Sequence, residues 1–174
     1  MSKKIFVSIL LVISLFLCGC SSKPKYFLEY QKSNFSSEAT LEINSEKYSV
    51  SIEKTGDDTY KITFLSPENM KGVFVEKNGG SIVYSVGSVS IPMESGTNLI
   101  ADMTEVFNLT KENLVSEKDE MFNGVKVNTK RFNSDSGYTV VYTSAEKSLP
   151  VRIETIINGN EINISFSNFQ TITE

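Results

Sequence analysis

The chain has 174 residues, a formal net charge of −4, two cysteines and no histidine. That length suits one domain of ordinary size, and a hydrophobic fraction of 40% excludes a wholly disordered chain. The commonest general base and metal ligand is absent with histidine, and no block of lysines and arginines offers a footprint for nucleic acid.

The chain opens Met1-Ser2-Lys3-Lys4 and then runs apolar from Ile5 to Leu17, interrupted only by Ser8 and Ser14. A helix of that length rises about 20 Å, short of the roughly 30 Å a membrane span must cross. The expectation is a secretory signal peptide rather than a transmembrane helix. Leu17-Cys18-Gly19-Cys20 resembles a bacterial lipobox, with an aliphatic residue at −3, small residues before the cleavage point and a cysteine after it. The resemblance makes 1–19 a lipoprotein signal peptide, with Cys20 the residue that takes a diacylglyceryl group. Residues 20–37 then hold the lipidated cysteine and its tether, and Cys18 leaves with the signal. Zinc would need more ligands than a Cys-x-Cys pair supplies, and a disulfide across one residue would be strained. Removing Lys3 and Lys4 leaves 15 basic against 21 acidic residues, or −6 without the termini.

From residue 38 to 174 the expectation is a single curved-sheet domain. Period-two alternation puts Ala39, Leu41 and Ile43 on one face, then Tyr48, Val50 and Ile52, then Tyr60, Ile62 and Phe64. "GVFVEK", "SIVYSV" and "SVSIPM" extend the meander through turns at Lys77–Gly80 and Gly87-Ser88. Segment 26–37 reads either as a short helix packed on the sheet or as tether, with the helix favoured. Past Gly96 the period becomes helical, with Leu99, Met103, Val106 and Phe107 on one face. Thr110 is placed to cap a second short helix, "KENLVSEKD". Strands resume at "GVKVNTKRF", "GYTVVYTS", "LPVRIETII" and "NEINISFSNF", the last two joined by a tight turn at Asn158-Gly159.

The order is about six strands, one or two helices, then four strands. Twist makes a sheet that broad curl, and short helices fill a hollow better than they cover a flat face. The expected fold is α+β and mainly antiparallel β: a strongly curved half-barrel of about ten strands with one or two short helices in the concave face.

No catalytic constellation stands out. Asp57-Asp58, Glu112, Glu117 and Asp119-Glu120 fall in turns or on polar faces and read as solvated charge. Gly79-Gly80 lacks the strand-to-helix context of a phosphate loop. The chain is expected not to be an enzyme and to need no cofactor and no metal. What remains is an apolar interior, with Phe74, Phe122, Phe132, Tyr138, Tyr142, Phe166 and Phe169 among its candidate aromatics. Leu99, Met103, Phe107, Phe64 and Tyr84 are the candidate cavity-lining residues.

Three stretches resemble the LolA/LolB-like lipoprotein-carrier superfamily over residues 38–170. They are "TYKITFLSPENMKGVFVEKNGGSIVYSV", the mid-chain break at 97–118, and the closing hairpin "LPVRIETIINGNEINISFSNF". The resemblance implies a membrane-anchored binder of acyl chains or lipidated protein, and an arginine inside the cavity, for which Arg131 and Arg152 are the only arginines. The chain also resembles anchored GerS-like spore-germination lipoproteins. That resemblance implies the alternative of an interaction module that binds and regulates a cell-wall or spore-cortex enzyme.

Overall fold

In the computed structural model the described residues are 27–94, 103–107, 109–135 and 137–172. Eleven strands form one antiparallel sheet: β1 (Asn34–Ile43), β2 (Glu46–Gly56), β3 (Thr59–Ser66), β4 (Phe74–Asn78), β5 (Ser81–Val86), β6 (Val89–Met93), β7 (Leu114–Phe122), β8 (Val125–Ser134), β9 (Gly137–Ser144), β10 (Pro150–Ile157) and β11 (Asn160–Ile172). Their spatial order is β6-β5-β4-β3-β2-β1-β11-β10-β9-β8-β7. Two meanders thus meet where the first strand pairs with the last. Each strand pair adds twist of the same hand, so the sheet curves without closing.

Alternation fixes which face turns inward. One row of paired residues runs Phe35, Lys54, Tyr60, Lys77, Ile82 and Met93 from β1 to β6. Another runs Glu117, Lys130, Val141, Ile153, Ile164, Leu41 and Tyr48 from β7 to β2. The apolar members of these rows belong to the main buried cluster or pack beside it, apart from Ile82 and Met93, which form a smaller cluster with Val75 and Tyr84. The inner face is therefore apolar across the middle of the sheet.

The two edge strands are consecutive in the chain, so the connection between β6 and β7 must travel from one edge to the other. Its described centre, Met103 and the 3-10 turn Thr104–Phe107, buries Met103, Val106 and Phe107 against the inner face. A second 3-10 turn, Glu29–Lys32, precedes β1 and buries Tyr30 and Gln31.

Several elements differ from the sequence expectation. The helix expected over "KENLVSEKD" is a 3-10 turn of Lys111–Asn113 followed by β7, which brings the strand count to eleven. The cause is the Asn123-Gly124 turn, with φ of 49° and 79°, which folds β7 onto β8. Thr110 stands at the N-cap but its side chain makes no capping bond. β1 begins at Asn34, and Leu28, Tyr30 and Phe35 are buried, so the packed structure reaches back into the segment assigned to the tether. Helix content among the described residues is small: Met103 is helical, and the remaining turns are 3-10.

Candidate functional site

Phe107 is the centre of the cover over the inner face. Its ring stacks on Tyr60 at 5.3 Å, meets Phe35 at 6.2 Å and takes Phe166 edge-on at 6.5 Å. Its carbonyl oxygen accepts from Gln31 Nε2 at 2.7 Å and from the Tyr60 hydroxyl at 3.3 Å. Gln31 also accepts from the Leu28 amide through Oε1 at 3.0 Å, so one buried side chain ties both 3-10 segments together.

The inner face is not uniformly apolar. Lys54 is 1% exposed and lies 6.0 Å from the Tyr60 ring, and burial lowers its pKa against the opposing pull of Asp57. Lys77 meets Asp58 at 3.1 Å. Tyr30 packs edge-on against Phe35 and Phe169, and its buried hydroxyl has no hydrogen-bond partner among the described residues. Burial pushes that hydroxyl's pKa far up. A donor left unsatisfied in an apolar surround costs about 1–3 kcal/mol.

At the β7 side the trough is open. A cleft of about 560 Å³ lies over β7, β8 and the β9–β10 turn, with Phe27 and Leu28 as its apolar wall. β7 contributes Glu117 and Asp119, β8 contributes Lys126, Asn128 and Lys130, and β9 with its turn contributes Thr143, Ser144 and Ser148. The Lys130 ammonium donates to Glu117 Oε1 at 2.7 Å and so holds that carboxyl below its usual range. Lys130 also donates to Asn128, whose amide donates to Asp119 Oδ1 at 3.1 Å.

The structure brings Phe64, Met103 and Phe107 into one buried cluster, and Tyr84 packs at its margin. Neither the cleft described above nor a smaller one of about 360 Å³ beside Asn133–Asp135 is lined by any of them. Cys20 and Leu99 lie outside the described residues. Both arginines face the other side of the sheet. Arg131 sits over the Tyr138 ring at 4.0 Å, and Arg152 bonds Glu154 and Ser165. Their positions follow from register, since the residues paired with them, Val140 and Tyr142, alternate with inward Val141. Phe74, Phe122, Tyr138 and Tyr142 share that outer face, whereas Phe132, Phe166 and Phe169 pack on the core. Sequence reasoning missed the cleft altogether: Glu117 and Asp119 share a face only because their segment is a strand.

No protein-family model matches the sequence, and no curated protein is significantly similar to it. Solved structures share the fold. A LolA superfamily protein from Nitrosomonas europaea superposes with a TM-score of 0.50 at 9% identity, covering 82% of this chain and 87% of that one. An uncharacterized conserved protein from Thermus thermophilus gives a TM-score of 0.56 at 11% identity, covering 84% of each chain. The chain thus shares its fold with these structures, a curved and unclosed antiparallel sheet.

Proposed function

We propose that the chain is a membrane-anchored, non-enzymatic lipoprotein that binds acyl chains, of a lipid or of a lipidated protein, against the concave face of its sheet. One observation carries the reading. Among the described residues a broad apolar face is covered by little more than Met103 and the short 3-10 turns Thr104–Phe107 and Glu29–Lys32, and this cover centres on Met103, Val106 and Phe107. Such a cover is displaceable. Moving three buried side chains out costs about 1.5–3 kcal/mol each. An acyl chain returns about 0.8 kcal/mol per buried methylene, so a chain of ordinary membrane length outweighs them. The unpartnered Tyr30 hydroxyl offers a donor to an ester or carboxyl group within that apolar interior.

On this reading Cys20 carries the diacylglyceryl anchor, which supplies the two chains that stable attachment requires. The protein then sits on the extracytoplasmic face of the cell membrane. The test is native mass spectrometry of the full chain released from its membrane in a lipid-free surfactant. Acyl species retained beyond the mass of the anchor support the reading. A chain that stays ligand-free after incubation with myristoyl lysolipids contradicts it.

A second reading, an anchored module that binds a protein partner such as a cell-wall enzyme, has its own observation. Among the described residues neither edge strand pairs with a further strand, and exposed apolar side chains lie there: Val89 and Ile91 on β6 beside Val86 of β5, and Val115 and Met121 on β7 beside Val125 of β8. An edge strand so furnished suits strand addition by a partner. A charge at Val89 would abolish that contact and leave acyl binding intact.

A further inference from the structure

The cleft beside β7 has an ordered charge layout that the apolar interior does not need. The strands lie side by side in the order β9, β8, β7. Register places Asp119, Asn128 and Thr143 in one line across them, and Glu117 and Lys130 in the next. The three strand walls therefore differ: carboxylates on β7, ammonium and amide groups on β8, hydroxyls on β9 and its turn, while Glu29, on the Phe27–Leu28 side, is already paired with Lys32. Neighbouring strands are about 4.8 Å apart. The cleft thus presents a dipole across about one strand spacing, anionic at the outer edge and cationic or hydroxylic further in.

Its apolar wall joins it to the interior. Phe27 and Leu28 line the cleft and also belong to or pack on the main core, where Phe27 meets Phe132 edge-on at 6.1 Å. Tyr30, with its unpartnered hydroxyl, follows two residues later in the same short segment.

We propose that this cleft is the head-group subsite for a zwitterionic, ammonium-bearing phospholipid. The ligand ammonium exchanges with Lys130 at Glu117 and adds to Asp119, which keeps its bond from Asn128, and the phosphate goes to Lys126, the released Lys130 and the hydroxyls of Thr143, Ser144 and Ser148. In an ethanolamine phosphate the nitrogen and phosphorus are separated by four bonds, which spans adjacent strands. The fatty tail passes Phe27 and Leu28 toward the core. This inference rests on the acyl-binding reading and adds the class of lipid. An anionic glycerol head would bring hydroxyls, but no cation, to the carboxylate wall, and its phosphate would gain nothing over that of ethanolamine. The layout selects against it.

The test uses the full chain held in amphipol and titrated with two tail-free probes, glycerophosphoethanolamine and glycerophosphoglycerol, followed by backbone NMR shifts. The myristoyl lysolipids with the same two heads, and myristate itself, are then titrated in parallel. The expected result is a preference for ethanolamine of about tenfold, with shifts at β7, β8 and the β9–β10 turn. Asp119→Asn removes most of the preference and leaves myristate binding unchanged. Lys126→Gln weakens both heads alike. Equal binding of the two lysolipids, or an Asp119→Asn variant that keeps the preference, overturns the subsite and leaves the acyl reading standing. Binding of glycerophosphoethanolamine with no acyl ligand taken up upholds the polar subsite and sinks the acyl reading. No binding by any probe sinks both.

Discussion

The Tyr30 hydroxyl is the sharpest residue-scale handle, because two of its effects have opposite signs. It is buried, packed between Phe35 and Phe169, and has no acceptor among the described residues. Tyr30→Phe removes an unsatisfied donor and keeps the ring, so the empty protein should gain about 1 kcal/mol and a few degrees in Tm. The same change should weaken retention of ester or carboxyl ligands. Thermal melts with and without myristoyl lysolipid check both signs, and a variant that binds as well as the parent denies the hydroxyl a role. A second residue-scale prediction concerns alkaline stability. Tyr142 on the outer face has its pKa pushed up to about 12, first by burial and then by its hydrogen bond to Glu154 Oε2 at 3.0 Å. Between the ordinary tyrosine value near 10 and that raised one, the unfolded chain has lost the proton and the folded chain still holds it. Stability therefore falls as pH rises through this window. Denaturant titrations at several alkaline pH values should show the fall, and Tyr142→Phe should flatten it.

At the scale of elements, the strands were the legible part. Alternation such as Val50-Ser51-Ile52 or Tyr60-Lys61-Ile62 sets which side chains are buried, and those assignments hold in the sheet. Two strands defeated that logic for different reasons. β7 is polar and exposed along its middle, with half-buried Leu114 and Phe122 at its two ends, because it is an edge strand. Its identity is carried by the Asn123-Gly124 turn that follows it rather than by any period within it. The start of β1 was hidden because Ser36, Ser37 and Glu38 look like linker, although Ser37 is buried and bonds the carbonyl of Ser167 on β11 at 2.8 Å. Long-range pairing of first strand with last is invisible to any local reading. The cover, by contrast, was legible from Met103, Val106 and Phe107. Phe107→Ala should cost about 3–5 kcal/mol, since its ring meets Tyr60, Phe35 and Phe166 together. If the cover is also what a ligand displaces, the loss should shrink when acyl ligand is present, because the ligand fills the space the ring leaves. A denaturant titration with and without myristate measures the difference. An identical loss in both would mark Phe107 as ordinary core.

At the scale of the whole molecule, topology does the functional work. The sheet opens at β6 and β7 and closes its two meanders through β1 and β11. The chain must therefore cross from one rim to the other between residues 93 and 114, and the described centre of that crossing, Met103–Phe107, lies on the apolar face. A fold built this way has a trough, the connecting segment Met103–Phe107 packed over it, and a polar opening at one end. The aromatic count in the sequence overstated the interior. Phe74, Phe122, Tyr138 and Tyr142 turn outward with Arg131 and Arg152, because their partners across the strands do. Composition cannot tell the two faces apart; register can.

The most direct measurement of the central claim is photocrosslinking of the full chain with a diazirine-bearing fatty acid, followed by peptide mapping. Acyl binding against the concave face predicts crosslinks on the segment around Met103–Phe107 and on inner-face residues such as Tyr60, Ile164 and Phe166, all reduced by unlabelled myristate. Crosslinks confined to the outer face around Phe122 and Tyr142, or none that myristate competes away, would contradict it.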